Sequence, residues 1–178
     1  ELNPKIIDKK INKEFNKINI YKCFSSPLLR CIETASLIFK KNQIITNKYL
    51  KEIDYGKAEG LNFKKLNQKY PQMLKMWNKG LDPRFPKGES TFKANDRLKK
   101  FIKHELKGNK IGKKRNIAVF THNVILRCLI GSFYKIDKRD WYKINIPYFS
   151  PLEFRLNKNK LSTNIDRKKF LLIFKNFY

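Results

Sequence analysis

Along this chain, apolar residues recur with a helical period in some segments and gather into short unbroken runs in others. After Asn3-Pro4, residues Ile7, Ile11, Phe15 and Ile18 fall on one face and predict a first helix opened by the proline. Residues 21–24 form a short extended run that breaks at Ser25-Ser26-Pro27. Leu28, Cys31, Ile32, Ala35, Ile38 and Phe39 then return at helical spacing and predict a single buried stripe. Pro27 suits the first helical position, with Ser26 as the cap before it. A short strand is expected at 44–46, then a loop over 50–63, LKEIDYGKAEGLNF. Helical fragments over 63–79 are broken at Pro71, and residues 80–90, GLDPRFPKGES, read as a surface excursion punctuated by Gly and Pro. Residues 91–106 predict a helix with Ala94, Leu98, Phe101, Ile102 and Leu106 inward. NIAVFT, 116–121, is a run of strand formers, and VILRCLIGSFY after His122 is apolar almost all round, which predicts a buried helix. Two late strands are expected at 151–156 and 169–174.

Strands alternating with helices predict an α/β domain around a mostly parallel sheet, with residues 1–178 as one domain. In such sheets, ligands bind beyond the carboxyl ends of the strands, where the following helices begin. Two junctions here carry polar residues at that end: Ser25-Ser26 with Arg30, and Thr121-His122-Asn123.

Charge changes the picture less than its size suggests. The formal net charge is +26, from 41 basic against 15 acidic residues. Of the basic residues 33 are lysine, scattered along almost every segment in a chain also rich in Asn and Ile, so they describe a solvated surface that attracts anions more than a basic stripe. No RNA-binding aromatic signature, zinc-finger spacing or basic zipper is present, so nucleic acid is not the expected partner. Cys23, Cys31 and Cys128 lack Cys-x-x-Cys spacing, and an odd number of buried-looking thiols suggests a reducing, cytoplasmic compartment. Two histidines without paired ligands do not make a structural zinc site, and no apolar run has the length of a membrane span.

Arg30 is the awkward residue. It falls in the first turn of its helix, off the apolar stripe, where the helix dipole is positive and disfavours a cation. It could pair with Glu33, although an arginine-first pair at that spacing contributes only a few tenths of a kcal/mol, roughly. Alternatively an oxyanion over the helix start neutralises both the dipole and the guanidinium. His122 admits two readings as well, a hydrogen-bonded core residue or a site residue at a strand's carboxyl end. His104, between Lys103 and Glu105 on a polar face, reads as solvated. Glu52, Asp54 and Glu59 carry no signal by themselves.

Together, SSPLLRCIETA, LKEIDYGKAEGL, PKGES and THNVILR, in that order, resemble the histidine phosphatase superfamily, also called the phosphoglycerate mutase-like family. The resemblance runs from residue 2 to residue 156, and RFPKGES ahead of an arginine-bearing helix is similar to the phosphatase branches, including fructose-2,6-bisphosphatase. It implies a three-layer α/β/α fold and a phosphohistidine mechanism without metal or cofactor, acting on a small phosphorylated metabolite. Arg30 matches the family arginine that grips phosphoryl oxygens, with Ser26 and Asn123 beside the phosphate. His122 matches the second phosphate-binding histidine, and Glu52 the acid/base residue. Arg84, Lys87, Glu89 and Ser90 fall in the segment that would contact the substrate. Two departures stand out. The family's nucleophilic Arg-His-Gly tripeptide is absent, which implies a chain lacking its first strand and inactive by itself, or a degenerate paralogue. Asn123 and Ile7 stand where glycines are usual. The expected function is therefore phosphomonoester hydrolysis, with mutase-type phosphoryl transfer, or a non-catalytic anion- or nucleic-acid-binding domain, as alternatives.

Overall fold

The computed structural model describes residues 18–107, 116–146, 151–157 and 160–164. The helix expected from Asn3-Pro4 onward, apart from its last position, and the late strand expected at 169–174 lie outside them. Contacts divide the chain into two compact units, each assembled from separate stretches of sequence.

The first unit takes 18–51, 100–107, 116–122 and Pro151 of the described residues. Its sheet has three strands, β1 (Ile20–Ser25), β2 (Ile44–Thr46) and β3 (Asn116–Phe120), in the order β2-β1-β3. All pairings are parallel, with Cys23 opposite Ile44 on one side and Ala118 on the other. Successive side chains of a strand point to opposite faces, and both faces of β1 are covered. On one, Cys23 and Ala118 pack with Ala35 of helix α1 (Leu29–Ser36), flanked by Ile20, Phe39, Ile44 and Phe120. On the other, Phe24 meets Phe101 edge to face at 5.4 Å, each ring 1% exposed.

Helix α1 begins later than its sequence predicts. Leu28 is the cap residue and Pro27 lies outside the helix, because Ser26 is committed elsewhere. Its N–H extends the β1–β3 ladder by donating to the Phe120 carbonyl at 2.9 Å. The apolar stripe is as expected, with Cys31 and Ala35 buried.

The second unit takes 52–99, 123–146, 152–157 and 160–164. It holds α2 (Phe63–Lys69), α3 (Pro71–Asn78), most of α4 (Thr91–Phe101) and α5 (Asn123–Phe133). Pro71 opens α3, so the predicted break falls where proline can start a helix but not continue one. The expected helix over 91–106 continues past α4 as a π-helical stretch, Ile102–Lys107. Asp82 holds the start of α4, its two carboxylate oxygens accepting the N–H groups of Thr91 at 3.0 Å and Phe92 at 2.7 Å. As expected, α5 is buried at Ile125, Cys128, Ile130 and Gly131. The late strand is shorter than predicted: β4 (Arg155–Asn157) forms an antiparallel hairpin with β5 (Lys160–Ser162), which the sequence pattern did not reveal. Among the described residues, no helix is long and apolar enough to cross a membrane.

Candidate active site

Strands β1 and β3 run side by side in the same direction, so their carboxyl ends lie together and deliver Ser26 and His122 to one place. His122 is 6% exposed and Ser26 is fully buried. The Arg30 Nε–H donates to His122 Nδ1 at 3.2 Å, and Ser26 Oγ lies 2.8 Å from Nε2. An Nδ1 that accepts from a guanidinium carries no proton, so the ring's hydrogen sits on Nε2 and faces Ser26 Oγ. The serine oxygen also accepts the Leu28 N–H at 3.3 Å. The thiol of Cys31 lies 3.4 Å from Nε2 and 3.6 Å from the Thr121 carbonyl. Thr121 Oγ1 in turn donates to the Leu50 carbonyl at 2.8 Å, fixing the strand end. Arg30 itself is exposed. A buried neutral imidazole thus stands against an exposed guanidinium, a pair that can open towards an arriving oxyanion. Arg30 turns towards His122, the contact that a bare reading of its helix position could not supply.

In the second unit, Glu52 is half-buried and its Oε1 accepts the Ile53 N–H at 3.0 Å. Its charge reaches α5: burial first, then the carboxylates of Asp82 and Glu52, push the Cys128 thiol up to about 12. Burial alone does the same to Cys23. Both thiols stay protonated at neutral pH and are not nucleophiles. Arg84, in the 80–90 segment, donates from Nε to the Gly88 carbonyl at 2.7 Å. Lys87 is exposed and holds φ of 59° in a turn closed by the Gly88 N–H and the Phe85 carbonyl at 2.8 Å. Glu89 is bound by Arg97 at 2.7 Å. Ser90 sits at the start of α4, its Oγ accepting the Lys93 N–H at 3.3 Å. At the start of α5, Asn123 Oδ1 is buried with no hydrogen-bond partner among the described residues. Also among these, no group of three or more His, Cys, Asp or Glu is placed to hold a metal ion.

The histidine phosphatase superfamily (branch 1) matches residues 9–164. The chain belongs to that family. Among its similar relatives is a 2,3-bisphosphoglycerate-dependent phosphoglycerate mutase from Cytophaga hutchinsonii, 28% identical over 79% of this chain and 68% of its own length. The fructose-2,6-bisphosphatase of Saccharomyces cerevisiae is 25% identical over 89% of this chain and 34% of its own. Among solved structures, a phosphoserine phosphatase mutant from Entamoeba histolytica in complex with phosphoserine superimposes with a TM-score of 0.75 at 20% identity. That match covers 93% of this chain and 83% of that one, and shows the three-layer α/β/α fold of the histidine phosphatases.

Two residues, Cys31 beside His122 and Arg97 beside Glu52, went unread in the sequence. Cys31 was legible only as part of an apolar stripe, although it follows Arg30 directly. Thr121 was marked as a polar residue at a strand's carboxyl end, without the bond to the Leu50 carbonyl that fixes it there. Arg97 was visible as an arginine on a helix after the PKGES motif, and only the fold shows what it holds.

Proposed function

We propose that this chain carries the phosphate-binding and acid/base parts of a phosphomonoester hydrolase that works through a phosphohistidine on a small phosphorylated metabolite. One observation supports the reading most: the Arg30–His122–Ser26 cluster at the adjoining carboxyl ends of two parallel strands. There a guanidinium, an imidazole and a hydroxyl supply donors where phosphoryl charge develops, fixed in advance by the sheet. Arg30 takes phosphoryl oxygens in a bidentate grip, and His122 turns its Nε2–H from Ser26 Oγ to the phosphoryl group.

The steps balance with these groups, Glu52 and a further, nucleophilic histidine. A histidine nitrogen of the family's Arg-His-Gly type attacks phosphorus while the bond to the leaving oxygen breaks. Glu52, as the carboxylic acid, gives that oxygen its proton. As the carboxylate it then takes a proton from water, which attacks phosphorus, breaks the N–P bond and releases inorganic phosphate. The exposed Arg84 and Lys87 offer charge to the rest of the substrate. Glu52→Gln in the full-length chain is expected to depress turnover of alkyl phosphates more than of nitrophenyl phosphate, whose leaving group needs no proton. Equal losses on both would remove Glu52 from the acid role.

Phosphoglycerate mutase-type transfer is the second reading, favoured by the mutase relatives. Hydrolysis is preferred because the interval from Glu52 to Gly88-Glu89-Ser90 is modest, whereas a mutase must enclose and turn its bisphosphorylated intermediate. Phosphate release measured with and without 3-phosphoglycerate separates them. Transfer far in excess of release would reject the hydrolase.

A further inference from the structure

The segment carrying Glu52 is tied to an ion pair that takes no part in the chemistry above. Arg97 meets Glu89 with two bonds, Nε to Oε1 at 2.9 Å and Nη2 to Oε2 at 2.7 Å. The same Nη2 donates to the main-chain carbonyl of Glu52 at 3.3 Å. Glu89 closes the circuit: its N–H donates to the Asp54 carbonyl at 2.7 Å, and its Oε2 accepts the Asp54 N–H at 3.3 Å. The two side chains are only 17% and 14% exposed, so water competes little for these bonds. Glu52 is thereby held at its carbonyl, while the following residue, Ile53, is anchored in the core at 4% exposure. Its carboxylate, folded onto the Ile53 N–H, then has one backbone frame to start from.

We propose that Arg97 and Glu89 are positioning residues for Glu52, which present its carboxylate in a single orientation without touching substrate. The proposal rests on the acid/base reading of Glu52. A planar fork that grips Glu89 with two bonds fixes direction as well as distance, which a lysine ammonium does not do. Stability alone would not require the guanidinium to reach past its carboxylate partner to the carbonyl of this residue.

The test uses the full-length chain and the ratio of turnover on an alkyl phosphate to turnover on nitrophenyl phosphate. Glu89→Gln and Arg97→Lys are each expected to lower that ratio about tenfold, since small misplacements of a reacting group are costly. Combined with Glu52→Gln, neither should lower it further. Equal losses on both substrates, or a drop of the same size in the Glu52→Gln background, would overturn the proposal. A flat ratio in Glu52→Gln alone removes the acid assignment instead. Positioning is then decided by the Ile53 amide proton in NMR spectra, shifted downfield by its carboxylate acceptor. It is expected to move upfield in Glu89→Gln and in Arg97→Lys, and an unchanged resonance in both sinks the idea.

Discussion

At the scale of single residues, the site is a matter of who donates to whom. If Arg30 and His122 each donate to the phosphoryl group as proposed, Arg30→Ala and His122→Ala in the full-length chain should each lower turnover about 10²- to 10³-fold, as loss of one oxyanion donor does. Steady-state kinetics on a phosphomonoester would show it, and a variant within about twofold of wild type would remove that residue from the site. Glu89 gives a pH prediction. Burial pushes its carboxyl up, but the hydrogen bonds and charge of Arg97, the Asp54 N–H and Lys93 outweigh this and hold it below its ordinary value. A carboxyl lowered on folding contributes stability above its unfolded value, about 4.3, and that contribution fades as pH falls through the folded value. Urea denaturation at a series of acid pH values should therefore show a slope that Glu89→Gln reduces. An identical slope would mean the pair contributes nothing to acid stability.

At the scale of elements, the two loops of the second unit behave as one object. The Lys57 N–H donates to the Pro86 carbonyl at 2.8 Å, Glu89 and Asp54 bond as described, and Phe85 packs edge to face between Tyr55 and Trp77. Gly56 lies at their closest approach, with φ of +51°, and a Cβ there would come within 2.3 Å of the Pro86 carbonyl oxygen. Gly56→Ala combines a disfavoured backbone region with a backbone clash, and is expected to cost about 2 kcal/mol or more by chemical denaturation. A loss below about 0.5 kcal/mol would show that the loops part easily. Element type was largely legible in the sequence, since periodicity and Pro71 placed the helices α1 to α5 close to where they lie. The start of α1 was not, because Ser26 is drawn into the sheet ladder and towards His122, and a cap motif cannot report such competition. The hairpin of β4 and β5 was missed for a related reason: strands of three residues each carry too little alternation to read.

At the scale of the whole molecule, the net charge of +26 would draw in the anionic substrate proposed above. Charges spread over most segments attract phosphates without selecting among them. Raising ionic strength from about 0.01 M to about 0.15 M shortens the screening length from about 30 Å to about 8 Å. In the full-length chain KM should therefore rise across that range while kcat stays nearly constant. A KM indifferent to salt would leave the lysines without a part in substrate capture. Family membership narrows the chemistry, and the relatives named above carry the names of different phosphorylated compounds.

The sequence by itself determined most of the described strands and helices, because apolar period and proline placement act locally. It also marked two polar strand ends, and its ordered motifs pointed to the family. Only the tertiary structure decided that Arg30 turns to His122, that Ser26 and Cys31 flank the same imidazole, and that Arg97 ties Glu89 to the backbone of Glu52. Those contacts join residues 8 to 96 positions apart. Their geometry follows from strand register and loop closure, which are settled by packing rather than by any local run of residues.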